Sequence, residues 1–300
     1  MSDNIELKKD TFELVKRALN EDIGRGDLTS LACLEPFPLK AKVLAKSEGV
    51  LSGAEPFLMA FEIVDSANVV SFVKNNSDSF KPGDTIATIA GFNQTVLTSE
   101  RVALNFLSHL SGVATLTHKF VKKIKEAGHN NCKITDTRKT TPGFRKLEKA
   151  AVLHGGGINH RLGLYDMVLI KDNHIASSGS ITKAVESMRE YLRLPEFRLQ
   201  FDVKAENIEI EVEINNEQEL REVIECGITR VLLDNQSIES LNQLVTLAKK
   251  MNPKAETEAS GGVNFESVAD IAATGVDYIS IGALTHSAPA VDFSLEVTDS

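Results

Sequence analysis

The chain has 300 residues, 42% of them apolar and 25% charged, with a net charge of −9, which suits one large or two modest domains with a real core. An acidic chain with no Trp and three Tyr is a poor general partner for nucleic acid or an anionic membrane. Any anion it binds must therefore meet a local positive cluster, and residues 133–174 hold one, with eight Lys and Arg against four Asp and Glu.

The N-terminus, MSDNIELKKD, has no apolar stretch of the kind a signal peptide needs. No apolar run approaches the ~18 residues of a spanning helix, so a cytoplasmic protein is expected. Cys33, Cys132 and Cys226 are far apart and form no CxxC pair. They read as reduced thiols, in neither a disulfide nor a zinc site.

In chain order, residues 10–20 predict an amphipathic helix. Asp10 and Glu13 have capping-box spacing, and Phe12, Val15 and Leu19 share a face. The Gly- and Asp-rich stretch 21–30 predicts a loop. From Ala41 to Ala90 short alternating runs predict a small antiparallel sheet, with a turn at Lys81-Pro82-Gly83-Asp84. A long helix is expected from Ser99 to Ala127, ending at Gly128 and most easily bent at Ser111-Gly112.

Beyond Gly128 the rhythm changes. Candidate strands at 133–137, 167–171, 208–214, 230–234, 255–260 and 278–282 alternate with helical segments at 145–154, 180–193, 216–226, 237–250 and 264–274. That alternation predicts a parallel sheet with helices outside, first as a closed α/β barrel and second as a doubly wound sheet. Val291–Val297 alternates again and predicts a last strand that returns to the first domain.

In parallel barrels the active site lies at the C-terminal strand ends. Here those ends carry Thr137, Arg138 and Lys139, then Lys171 to His174, Glu213, Asp234 and Asn235, Ser260-Gly261-Gly262, and Gly282. Cations, carboxylates and a Gly-rich turn suit a polyanion bearing a sugar hydroxyl pair. Arg138-Lys139 alone would read as a solvated loop face; beside His160-Arg161 and Lys171 they read as part of a pocket. Glu209, Glu211 and Glu213 alternate with apolar residues, as on a strand with one wet face. If that face lines a barrel, only Glu213 lies near enough to the strand end to reach the mouth, and Glu211 is its structural neighbour. Ser260-Gly261-Gly262 follows a strand and precedes a helix expected near Asn264, a geometry that binds phosphate. Gly155-Gly156-Gly157 reads as a turn that presents His160 and Arg161. HExxH, GxSxG and Walker motifs are absent.

The block ITDTRKTTPGFRKLEKAAVLHGGGINHRLGLYDMVLIKDNHI (134–175) closely resembles the core signature of quinolinate phosphoribosyltransferases. SERVALNFLSHLSGVAT (99–115), IEVEINNEQELREVIECGITRVLLDN (210–235) and EASGGVNFESVADIAATGVDYISIGALTHSAPAVDFSL (258–295) are similar to the same family. The resemblance implies an N-terminal α+β domain over 1–113, completed by 287–300, and an incomplete, seven-stranded α/β barrel over 114–286. It implies transfer of phosphoribosyl from phosphoribosyl pyrophosphate (PRPP) to quinolinate with loss of CO₂, in de novo NAD biosynthesis. It also implies Mg²⁺ and a homodimer whose sites each receive Arg101 from the partner chain. By the same resemblance Arg138, His160, Arg161 and Lys171 bind the quinolinate carboxylates, and Lys139 lies near the pyrophosphate. Glu213 and Asp234 lie near the ribose hydroxyls and Mg²⁺, and Ser260, Gly261, Gly262 and Gly282 hold the 5′-phosphate. One departure is the 41 residues between Lys171 and Glu213, more than the family pattern. The extra chain is expected at 192–206, as a longer helix-to-strand connection on the far side of the barrel.

Two rival readings use the same residues. A nicotinate or nicotinamide phosphoribosyltransferase shares the barrel and the sugar donor, but a monocarboxylate needs fewer cations than Arg101, Arg138, His160, Arg161 and Lys171 supply. A silent metabolite-binding barrel has little use for both Glu213 and Asp234.

Overall fold

The computed structural model describes residues 2–201 and 204–298. In chain order the elements are α1 (Ser2–Ile23), α2 (Leu28–Cys33), β1 (Pro38–Ala45), β2 (Gly49–Val50), α3 (Ala54–Val64), β3 (Val69–Phe72), β4 (Ser79–Phe80), β5 (Thr85–Phe92) and α4 (Asn93–Glu126). There follow β6 (Lys133–Thr135), α5 (Arg145–His154), β7 (Val168–Ile170), α6 (Asp172–Ser178), α7 (Ile181–Arg193) and α8 (Pro195–Phe201). The chain then runs through β8 (Ile210–Ile214), α9 (Glu217–Glu225), β9 (Arg230–Asp234), α10 (Ile238–Met251), β10 (Glu256–Ser260), α11 (Val268–Ala273), β11 (Tyr278–Ser280), α12 (Ala283–His286) and β12 (Phe293–Thr298).

These elements form two compact units. The first comprises Met1–Lys119, Lys139–Gly157 and Ala283–Ser300. Its four-stranded antiparallel sheet has the order β12-β1-β5-β3. The C-terminal strand joins it directly, with Ala41 opposite Val297 and Val43 opposite Leu295. Val43, Ala45, Ile86 and Ile89 from the sheet are buried with Phe57 and Phe61 of α3. The two phenylalanine rings lie 5.1 Å apart.

Several boundaries in this unit differ from those the sequence suggests. Asp10 lies inside α1, so the helix starts before the capping box read at Asp10 and Glu13. Part of the 21–30 loop is helical, because the Asp27 side chain accepts the Ser30 N–H at 3.0 Å and caps α2. Helix α3 was not foreseen among the short runs of 41–90. Its signals are Gly53 as N-cap, Pro56 in the first turn, where its missing N–H is harmless, and buried Phe57, Ala60 and Phe61 at helical spacing. Helix α4 continues through Ser111-Gly112. A β-carbon on Gly112 would stand 2.3 Å from the Pro289 carbonyl oxygen, so the glycine there permits a close approach of the C-terminal segment.

The second unit comprises Phe120–Arg138 and Ile158–Gly282. Its strands are all parallel, in the order β6-β11-β10-β9-β8-β7. A single parallel bridge joins Thr135 of β6 to Ile158. Chain order around the wall is thus cyclic: β6, the 158 segment, then β7 through β11 and back to β6. This is an incomplete α/β barrel. Six of the seven expected strand positions carry ladders, and the seventh is reduced to that one bridge.

Side chains on these strands alternate by the pleat. Val212, Ile214, Val231, Leu233 and Ala259 are buried on one face. Glu211, Glu213, Arg230 and Glu258 occupy the other, where hydrogen bonds link Glu211, Arg230 and Glu258. The barrel interior is polar where most barrels are aliphatic. Between β7 and β8 the long connection holds α6, α7, α8 and a short 3₁₀ turn at Ala205–Asn207. Phe197 packs near Tyr191 and Phe201, with centroids 5.9 and 5.2 Å away. Helix α11 begins at Val268, later than the position near Asn264 that the sequence suggests. Asn264 instead closes a turn by accepting the Ser267 N–H at 2.9 Å.

Candidate active site

The C-terminal ends of the barrel strands carry the residues expected there. Strand β6 leads through Asp136 and Thr137 to Arg138. The Asp136 side chain is fully buried, and its Oδ1 accepts the His160 N–H at 2.9 Å, which fixes the segment after Ile158. Next comes Arg161, whose Nη1 donates to the Met167 carbonyl at 3.3 Å. Asp166 shapes the intervening loop by accepting the N–H groups of Leu162 and Gly163 at 2.6 and 2.8 Å.

Two cations, Arg138 and Arg161, thus stand near enough to influence one another. Partial burial, and the nearby Arg138 cation, hold the Arg161 guanidinium below its usual range, while Asp166 and Glu211 only partly offset this. Lys171 follows β7 and caps α6, and the His174 Nδ1 accepts its N–H at 2.9 Å. Its ammonium donates to Glu213 Oε2 at 2.9 Å. Glu213 is nearly buried, as expected for the strand-end carboxylate of β8.

Asp234 ends β9, and Asn235 follows it in the left-handed region at φ 52°. Asn235 Nδ2 donates to Asp234 Oδ2 at 2.6 Å, and its N–H donates to the Ser260 carbonyl at 2.8 Å. Gly261 has φ 89°, and a β-carbon there would stand 2.2 Å from Asn235 Oδ1. A glycine is therefore required on two counts, backbone angle and space. Gly262 is also left-handed and exposed. Gly282 follows β11 and immediately precedes α12. Arg101, exposed on α4, and Lys139, the exposed neighbour of Arg138, belong to the first unit. There the Thr285 hydroxyl donates to the Lys139 carbonyl at 2.7 Å.

A buried ionic cluster inside the barrel was not foreseen. Arg230 Nε donates to Glu211 Oε1 at 3.3 Å and its Nη2 to Glu258 Oε2 at 2.8 Å, and its guanidinium lies 4.4 Å from the Tyr278 ring centre. His160 Nε2 lies 3.0 Å from Glu211 Oε2 and 3.5 Å from Glu258 Oε1. Burial raises the carboxyl pKa of both Glu211 and Glu258 to about 7, against the pull of Arg230. The signal was present in Glu209, Glu211 and Glu213 alternating with apolar residues up to the end of β8, and in Glu256 and Glu258 at alternate positions of β10.

The comparisons with known proteins fit this geometry. Residues 27–111 match the model of the quinolinate phosphoribosyl transferase N-terminal domain, and residues 113–296 that of the C-terminal domain. The chain belongs to the quinolinate phosphoribosyltransferase family. Among relatives, a probable carboxylating nicotinate-nucleotide pyrophosphorylase of Bacillus subtilis is 41% identical, over 98% of this chain and 94% of that protein. A chloroplastic carboxylating nicotinate-nucleotide pyrophosphorylase of Arabidopsis thaliana is 40% identical, over 96% of this chain and 83% of its own length. The solved structure of the Francisella tularensis nicotinate-nucleotide pyrophosphorylase superposes with a TM-score of 0.88, at 36% identity and 97% coverage of both chains. The quinolinate phosphoribosyltransferase fold thus extends over nearly the whole chain.

Proposed function

We propose that this chain is a decarboxylating quinolinate phosphoribosyltransferase, making nicotinate mononucleotide, pyrophosphate and CO₂ from quinolinate and PRPP, in NAD biosynthesis. The observation that carries this reading is that the strand ends of one barrel, in a chain of this family, bear Lys171, Glu213, Asp234 and the left-handed Gly261, with Lys171 Nζ 2.9 Å from Glu213 Oε2. Arg161 is partly buried with Arg138 among its nearby charges, a setting that suits an anion, and a dicarboxylate can engage more than one cation.

In the proposed arrangement Arg138, Arg161 and Lys171 receive the quinolinate carboxylates, with His160 beside them. Arg101 of the partner subunit completes the pocket in a homodimer. Ser260, Gly261, Gly262 and Gly282 line the 5′-phosphate site. Lys139 faces the pyrophosphate. Glu213 and Asp234 hold the ribose hydroxyls. Their carboxylates end adjacent strands, and such hard oxygen donors, few in number, match the way Mg²⁺ binds beside substrate phosphates. When bound there, directly or through water, Mg²⁺ would supply positive charge to the phosphate oxygens.

As the C1–oxygen bond to pyrophosphate breaks, the sugar becomes positive, and the two carboxylates stabilise that charge. The pyridine nitrogen bonds to C1 and its ring becomes electron-poor. The ring then accepts the electron pair left when the 2-carboxylate departs as CO₂, and C2 takes up a proton. The arginines keep the other carboxylate in place, so positioning accounts for much of the rate. No helix among the described residues is long and apolar enough to cross a membrane, and we place the enzyme in the cytoplasm.

The test is turnover of purified protein with quinolinate, PRPP and Mg²⁺, with nicotinate as the parallel substrate. Nicotinate mononucleotide and CO₂ in equal amounts from quinolinate alone is the expected result. Product from nicotinate alone would refute the dicarboxylate reading.

A further inference from the structure

The ring of His160 is fully committed before any substrate arrives. Its Nδ1 lies 2.7 Å from the main-chain nitrogen of Arg161. A main-chain N–H can only donate, so Nδ1 carries no proton. The neutral ring must then be protonated at Nε2, which donates to Glu211 Oε2 at 3.0 Å. Glu211 accepts Arg230 through its other oxygen, and Arg230 reaches on to Glu258. The side chains of Glu211 and Glu258 are fully buried, and that of Arg230 is 10% exposed.

Two roles are thereby closed to this histidine. His160, Glu211 and Glu258 bring potential ligand atoms within 4.8 Å of one another, as a metal site would. A metal needs a bare Nε2, however, and with Nδ1 already accepting, the ring would have to be an imidazolate beside the Arg230 cation. Nor can the ring offer a free N–H to a substrate carboxylate.

We propose that Arg230, Glu211 and Glu258 are positioning residues that lock the His160 ring, and that His160 in turn fixes the main chain of Arg161 so that its guanidinium meets the substrate. This rests on the reading that Arg161 binds a quinolinate carboxylate. His160 then belongs behind the pocket, not in it. The anchor is Arg230, at the start of β9.

Two measurements test this. In protein labelled with ¹⁵N-histidine, with His160 assigned by comparison with His160→Asn, NMR should show a bare Nδ1 and a protonated Nε2, unchanged by saturating quinolinate. A doubly protonated ring, an Nδ1–H tautomer, or a switch of ring partner on adding quinolinate would overturn the proposal. This arm needs no turnover, so it stands even if the catalytic assignment fails. In kinetics, Arg230→Gln should raise the KM for quinolinate about tenfold or more, as expected for a displaced binding group, while the KM for PRPP stays within about twofold. Arg230→Lys, which keeps one charged bond, should recover part of the loss. Equal damage to both KM values, or none to that of quinolinate, would refute the positioning role. If Arg230→Gln does not fold, Glu258→Gln keeps the shape of the cluster and is read in the same way.

Discussion

The Lys171 ammonium lies 2.9 Å from Glu213 Oε2, joining a half-exposed cation after β7 to a nearly buried carboxylate at the end of β8. The pair links the proposed carboxylate pocket to the proposed ribose site. Removing the carboxylate charge should strike the chemical step, where charge develops, more than binding. Glu213→Gln should lower kcat on the order of 100-fold and leave the KM for quinolinate within a few-fold. Steady-state kinetics with each substrate varied would check this; an unchanged kcat would remove Glu213 from the mechanism.

Arg161 offers a fork of donors that no neighbouring lysine can imitate. Arg161→Ala should raise the KM for quinolinate roughly 100-fold, in the range of a lost charge-assisted pair. Arg161→Lys should recover only part of that loss. A near-normal KM in Arg161→Ala would contradict the assignment.

Arg101 is exposed on α4, as a residue given to a neighbouring subunit should be. Arg101→Ala and Arg138→Ala should each be inactive alone. Mixed and allowed to exchange subunits, they should regain activity, because one site of each hybrid dimer receives both wild-type arginines. Absence of recovery despite demonstrated exchange would argue for sites built from one chain.

At Gly261 a side chain has neither room nor an allowed backbone angle. Gly261→Ala should displace Asn235, weaken PRPP more than quinolinate, and destabilise the fold by about 1–3 kcal/mol. Denaturant unfolding combined with the KM for each substrate would separate the two effects. Unchanged PRPP binding in a folded variant would place the phosphate elsewhere.

Glu258 makes the fold sensitive to pH. Its carboxyl is raised from 4.5 to about 7, mainly by burial and by Glu211. Between those values the folded chain keeps a proton that the unfolded chain has lost, so stability falls as pH rises through the window and is flat beyond it. A shift of that size corresponds to about 3 kcal/mol at most. Glu258→Gln should flatten the decline in urea midpoint between pH 5 and pH 8. A wild-type stability that rises over that range would contradict the buried-acid picture.

The sequence carried the barrel well because its βα rhythm repeats and each strand ends in a chemically distinctive residue. Arg138, Lys171, Glu213, Asp234 and Gly261 could all be named from position along their strands. What it could not carry was the partnering across strands. Arg230, Glu211 and Glu258 are far apart in the chain, and only the register of β8, β9 and β10 brings them together. The same limit hid the state of His160, since a tautomer depends on partners and not on spacing. Helix α3 escaped because a Gly-Ala-Glu-Pro start looks like a turn until its apolar spacing is counted. Asp10 misled because a local capping pattern can sit inside a longer helix.

The reduction of one strand position to the Thr135–Ile158 bridge leaves a seam in the barrel wall before β7. Arg161 Nη1 reaches over that seam to the Met167 carbonyl, so a group proposed to hold substrate also stitches the scaffold. Quinolinate, by immobilising that guanidinium, would draw the two lips together. Ligand occupancy should then appear as slower amide exchange at Met167 and Val168, across a join made of side chains instead of a ladder.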